Sequence, residues 1–108
     1  MIEVKFTPSE YKLEVSGHAG YAETGKDIIC SAVSILFYTL AQSLSEARYA
    51  LEEDPVVNVS DGVISCAPQG KYEATVGMIF WTILNGIQLL AEDEPDYVHL
   101  EVVGVEEG

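Results

Sequence analysis

His18 and Cys30 stand twelve residues apart in the stretch of this chain best equipped for chemistry, residues 17–34, GHAGYAETGKDIICSAVS. An imidazole can take the proton of a thiol, and the thiolate can attack a carbonyl carbon. The same imidazole can then return the proton to a leaving amine. A His at the end of a strand-like run, a loop punctuated by Gly20 and Gly25, and a Cys opening a long apolar helix supply those parts. With Asp27 as the helix N-cap, Cys30 is the third helical residue. Its sulfur then lies near the positive end of the helix dipole and near unpaired backbone N–H groups. Both favour thiolate, and the N–H groups can hold an oxyanion. Asp27 brings a negative charge that opposes thiolate formation; it either orients His18 or only caps the helix. Ser34, one turn beyond Cys30, either touches the site or packs the helix.

The plainer reading of Cys30 is a small buried hydrophobe, and that of His18 a polar residue closing a strand. Cys66 falls on a short strand remote from any helix terminus and reads as core. His99 shares a strand face with Tyr97, Glu101 and Val103 and reads as solvated. The spacings of the two Cys and two His lack the close Cys-x-x-Cys pairing of structural zinc sites, so neither a metal nor another cofactor is expected. A redox role pairing Cys30 with Cys66 is weak for the same reason.

The elements that must position these groups follow from periodicity. Ile2, Val4 and Phe6 alternate with charged residues, as do Tyr11, Leu13 and Val15, giving two strands of a hairpin. Residues 19–26 lack a clear period and read as loop. Ile29, Val33, Leu36, Leu40, Leu44, Ala47 and Leu51 recur at three and four, predicting a helix over residues 28–50. Residues 56–60 and 63–67 form strands joined by a two-residue Asp61-Gly62 turn. A second helix spans residues 72–92, and residues 97–103 alternate once more. The order β-β-α-β-β-α-β predicts an α+β two-layer sandwich, a largely antiparallel sheet with both helices on one face.

Neither residues 28–45 nor residues 74–91 contain a charge. That length approaches a membrane span, but both stretches carry scattered Ser, Thr, Asn, Gln or Gly, and no basic clusters flank them. Buried helices are expected, with no membrane. One apolar stripe suffices for a helix lying on a sheet. Val76, Met78, Ile79, Phe80, Trp81, Ile83, Leu84, Ile87, Leu89 and Leu90 cannot all face one sheet. A homodimer through helix faces is therefore expected.

At 108 residues the chain is sized for one domain. Five basic and eighteen acidic residues give a formal net charge of −13. That argues against binding nucleic acid or an anionic membrane surface and favours a basic partner. The opening MIEVKF reads as a strand, not a signal peptide, so a cytoplasmic location with reduced thiols is expected.

Gly17-His18-Ala19-Gly20-Tyr21-Ala22-Glu23, then Gly25-Lys26-Asp27-Ile28-Ile29-Cys30, then Ala32-Val33-Ser34, resembles the signature of the ribosomal-processing cysteine proteases, the Prp family. The likeness extends over the chain in length and element order. It implies a single cysteine protease domain over residues 1–108, homodimeric, that removes the N-terminal extension of a basic large-subunit ribosomal protein after an aromatic residue. It implies Cys30 as nucleophile and His18 as general base and acid, with Asp27 and Ser34 in support. It also implies a substrate loop holding Gly20, Tyr21 and Gly25, mobile until substrate orders it, with the glycines supplying freedom. A non-catalytic ribosome-associated binding module with a vestigial thiol is the competing class. A phage-type relative processing a phage structural protein is the competing substrate.

Overall fold

The computed structural model describes residues 1–17 and 24–104, with side chains for residues 1–17 and 28–104. Five strands make one sheet in the order β3-β4-β2-β1-β5. They are β1 (Ile2–Thr7), β2 (Lys12–Ser16), β3 (Val56–Asn58), β4 (Val63–Ser65) and β5 (Val98–Val102). The helices are α1 (Thr24–Glu46) and α2 (Glu73–Asp93). The predicted α+β sandwich is the architecture found. The sheet is mixed: β1–β2, β2–β4 and β3–β4 pair antiparallel, while β1 and β5 pair parallel, Val4 opposite Leu100. That parallel pair arises because α2 carries the chain back across the sheet before β5 begins.

Period-2 patterning sets which face of the sheet is covered. Ile2, Val4, Phe6, Leu13, Ile64 and Val98 are buried on one side and form a single core with residues of both helices. The other side carries the charges, with Lys5 opposite Glu14 and Glu101. There His99 Nδ1 lies 2.8 Å from Glu3 Oε2 on an exposed part of the sheet, as its strand face predicted. α1 buries Ile29, Val33, Phe37, Leu40 and Leu44; α2 buries Val76, Phe80, Ile83, Leu84 and Ile87. Phe6 stacks on Phe80 with ring centroids 5.2 Å apart and meets the edge of Trp81 at 5.5 Å.

Three local expectations change. α1 starts at Thr24, not residue 28, so Asp27 is its fourth residue and Cys30 its seventh. Gly25 does not delay the helix, since its entropic cost of about 1 kcal/mol is small enough for the rest of a long helix to offset. α1 also ends early, at Glu46, followed by a 3-10 turn at Arg48–Ala50. There the Gln69 side chain donates to the carbonyls of Tyr49 and Leu51, and Gln69 N–H donates to Ala50 O. Ala50 N–H and Leu51 N–H donate to Ala47 O and Arg48 O, three residues back rather than four, and the bonds from Gln69 hold that tighter turn.

The third change is the β3–β4 connection. Asn58 pairs with Val63, so residues 59–62 form a four-residue loop, not a two-residue turn. Asn58 Oδ1 accepts from Asp61 N–H at 3.1 Å, and Gly62 N–H donates to Val59 O at 3.2 Å. Gly62 closes the loop at φ +67°, where a Cβ would lie 2.1 Å from Val15 O.

Gly62→Ala combines a left-handed backbone with a collision against a paired strand. We expect it to destabilise the fold by about 2–4 kcal/mol. Urea unfolding measures this, and an unchanged midpoint would refute the strained-turn account.

Candidate active site

The sulfur-bearing turn of α1 faces a groove of about 380 Å³. One wall is α1, through Cys30, Val33, Ser34 and Phe37. The opposite wall is the end of β2 (Val15, Ser16, Gly17) with Ile2 and the β3–β4 loop from Val59 to Gly62. Cys30, Val33, Ser34 and Phe37 share that wall because they are spaced at three, four and seven along one helix. Ser34 therefore lies on the groove as its spacing predicted. Cys30 is half-buried: it packs against the core and also lines the groove.

Gly17 fixes where the chain leaves β2. It sits at φ +79°, and a Cβ there would lie 2.3 Å from Met1 O. Only glycine permits both the left-handed turn and that approach. Gly17 lines the same groove as Cys30, and His18 is the next residue. His18, Gly20 and Tyr21 lie outside the described residues. Gly25 and Asp27 lie in the first turn of α1, and the Asp27 side chain is likewise outside them.

The expected N-cap role of Asp27 is corrected by that helix start, since a fourth helical residue is not a cap. The dipole argument for Cys30 shifts with it. The first four N–H groups of a helix lack intrahelical partners, which here means those of residues 24–27. Cys30 stands one turn past them. Helical side chains lean toward the N-terminus, so the sulfur projects back over that turn.

The second thiol belongs elsewhere. Cys66 follows β4, packs against the core and borders a different cavity, beside Glu10, Lys12 and Asp54. Burial pushes its thiol up to about 11 from an ordinary 9.0. Both cysteines are thiols, and they open onto separate cavities, which does not suit a redox pair. Among the described residues, no group of three or more His, Cys, Asp or Glu is arranged to hold a metal.

Sequence reasoning missed the β3–β4 loop as a groove wall, and with it Val59, Ser60 and Asp61. The Asn58–Asp61 spacing that folds the loop was visible. Its approach to β2 is set by tertiary pairing and has no local signature.

A two-layer α+β fold with a free thiol on a helix beside a groove is compatible with a small cysteine-dependent hydrolase. A family model described as Cysteine protease Prp matches residues 1–99, and the chain belongs to that family. The ribosomal processing cysteine protease Prp of Mycoplasma pneumoniae is 39% identical over 54 residues. That match covers 50% of this chain, and the chain spans about half (54%) of that curated relative's length. The ribosomal processing protease Prp of S. aureus, solved with a covalently linked product peptide, superposes with a TM-score of 0.70 at 20% identity, covering 94% of this chain and 99% of that one. At that identity the likeness is one of fold. SMU.848 from Streptococcus mutans superposes with a TM-score of 0.65 at 27% identity, covering 94% and 90%.

The raised Cys66 value gives a prediction with a definite sign. Below pH 9 Cys66 is a neutral thiol in both folded and unfolded chains. Between pH 9 and 11 the unfolded chain gives up this proton first, so the stability contributed by Cys66 is lost over that window. Iodoacetamide mapping by mass spectrometry should find Cys66 alkylated far more slowly in the folded than in the unfolded protein at pH 8. Equal rates would show the burial to be wrong.

Proposed function

We propose that this chain is a cysteine endopeptidase that removes the N-terminal extension of a large-subunit ribosomal protein. The observation that carries the proposal is the groove lined jointly by Cys30, Ser34 and Gly17, the residue before His18. Family membership supports the same reading.

The steps follow from the residue types. His18 takes the thiol proton, and Cys30 Sγ attacks the scissile carbonyl. The tetrahedral intermediate collapses as His18 protonates the leaving amine, leaving a thioester on Cys30. Water, deprotonated by His18, attacks the thioester carbonyl and releases the new carboxylate, and the proton returns to sulfur. Asp27 and Ser34 support the pair from the first turn of α1 and from the turn beyond Cys30. The segment with Gly20 and Tyr21, which leads into the helix that begins before Gly25, meets the peptide, which is cut after an aromatic residue. The net charge of −13 draws in a basic substrate, more weakly as salt rises. The enzyme works in the cytoplasm as a single catalytic domain.

The proposal extends to a homodimer. Both helices have the length and apolarity of a membrane span, yet each lays one stripe on the sheet core. Ile35, Tyr38, Met78, Trp81 and Leu89 face outward. A groove of about 590 Å³ between α1 and α2, lined by Thr39, Met78, Ile79 and Thr82 among others, is mostly apolar. A second copy presenting the same surface would cover it.

Incubation with a ribosomal protein carrying its N-terminal extension tests the activity by intact mass. Wild type should yield one defined cut. Cys30→Ala should yield none, and His18→Ala should lose about 10²–10⁴-fold in rate. Cleavage by Cys30→Ala would overturn the assignment. For the assembly, sedimentation at micromolar concentration should give twice the chain mass, and Met78→Glu with Ile35→Glu should return it to one. A wild-type monomer at that concentration would refute the dimer.

A further inference from the structure

We propose that Asp61 is a specificity-determining residue that selects a lysine or arginine side chain of the peptide lying in the Cys30 groove. The inference rests on the peptide-cleaving reading of that groove and adds which side chain is read and by what.

Among the described residues lining the groove, Asp61 is the one Asp, Glu, Lys or Arg. The remainder are apolar or small, apart from the Cys30 thiol and the Ser16, Ser34 and Ser60 hydroxyls. Asn58 holds Asp61 through two hydrogen bonds. Asn58 Nδ2 donates to Asp61 Oδ2 at 2.9 Å, and Asp61 N–H donates to Asn58 Oδ1 at 3.1 Å. The loop is pinned to β2 in turn, since Val15 N–H donates to Gly62 O at 2.7 Å. Gly62 is the residue whose absent Cβ lets the two backbones meet. The carboxylate is therefore pre-positioned at the groove rim and need not be ordered when a ligand arrives.

A carboxylate accepts at about four lone-pair sites, and Asn58 occupies one. A cationic head can take what remains. Val15, Val33 and Phe37 line the same groove and offer apolar surface to the methylene stem of Lys or Arg. An acidic side chain in that place would meet a like charge, so the residue rejects as well as attracts. The net charge of the whole chain concentrates basic partners without distinguishing one residue of the peptide from the next. A single fixed carboxylate on the wall facing Cys30 does distinguish them, and so sets which bond reaches Cys30.

The test is a positional scan of short N-acetylated peptides with one aromatic residue held constant. Lys, Arg, Gln or Glu is walked through the other positions. Binding is read by fluorescence anisotropy on full-length protein carrying Cys30→Ala. One position should prefer Lys or Arg over Gln by about two- to fivefold, with Glu weaker than Gln. Adding Asp61→Asn should abolish that preference, and adding Asp61→Lys should reverse it toward Glu. With Asp61 intact, the ratio at that position should shrink as ionic strength rises, a measurement that needs no second substitution. A preference that is equal with and without the Asp61→Asn substitution, a salt-independent ratio, or no position favouring a cation would overturn the proposal. Cleavage by the wild type is scored separately. Asp61-dependent binding without cleavage would sink the protease reading alone, and Cys30-dependent cleavage indifferent to Asp61 would sink this proposal alone.

Discussion

The close approach of three backbone segments at the end of β2 is the constraint on which the groove depends. Gly17 turns beneath Met1 and Gly62 turns against Val15, each in a left-handed conformation with no room for a Cβ. Backbone pressed on backbone leaves fewer alternatives than side chain on side chain, because neither partner can change rotamer to relieve it. The β2 wall is therefore set by main-chain geometry, and the facing wall by one stripe of α1. Cys30 and Ser34 hang on the helix and need no specialised loop of their own to reach the cavity.

The layers divide their work unequally. The sheet buries one face under the helices and leaves the other to charged residues such as Glu3, Lys5 and Glu14. The helices bury their sheet-facing stripe and still present Met78 and Leu89 to the outside. Polar residues on one side of the molecule and aliphatic ones on the other make it two-faced. The Cys30 groove lies at the end of the sheet between those faces, so it competes with neither.

Much of the fold can be read directly. Ile2, Val4 and Phe6, and again Val98, Leu100 and Val102, alternate cleanly because their strands cover one side only. The apolar run of α2 locates that helix to within a residue at each end. The parallel pairing of β1 with β5 is not legible, since register between segments so far apart has no local mark. The start of α1 is misleading because Gly25 signals a break, yet its cost of about 1 kcal/mol is outweighed by the packing of a long helix. Cys30 and Ser34 come to one groove as their spacing implies. Asp61 reads as half of a tight turn; only the long-range bond from Val15 to Gly62 turns that loop into a wall. The relation of His18 to Cys30 lies outside the described residues.

The union of the first strand with the last carries a consequence for how the molecule is made. Glu3 meets His99 across a separation of 96 residues. Until translation reaches β5, the nascent chain holds β1 as an open edge, with Ile2, Val4 and Phe6 lacking part of their cover. Such non-local closure delays the native state until β5 has been made. The groove partly walled by Ile2 and the turn after β2 would then remain unfinished until the fifth strand has left the ribosome.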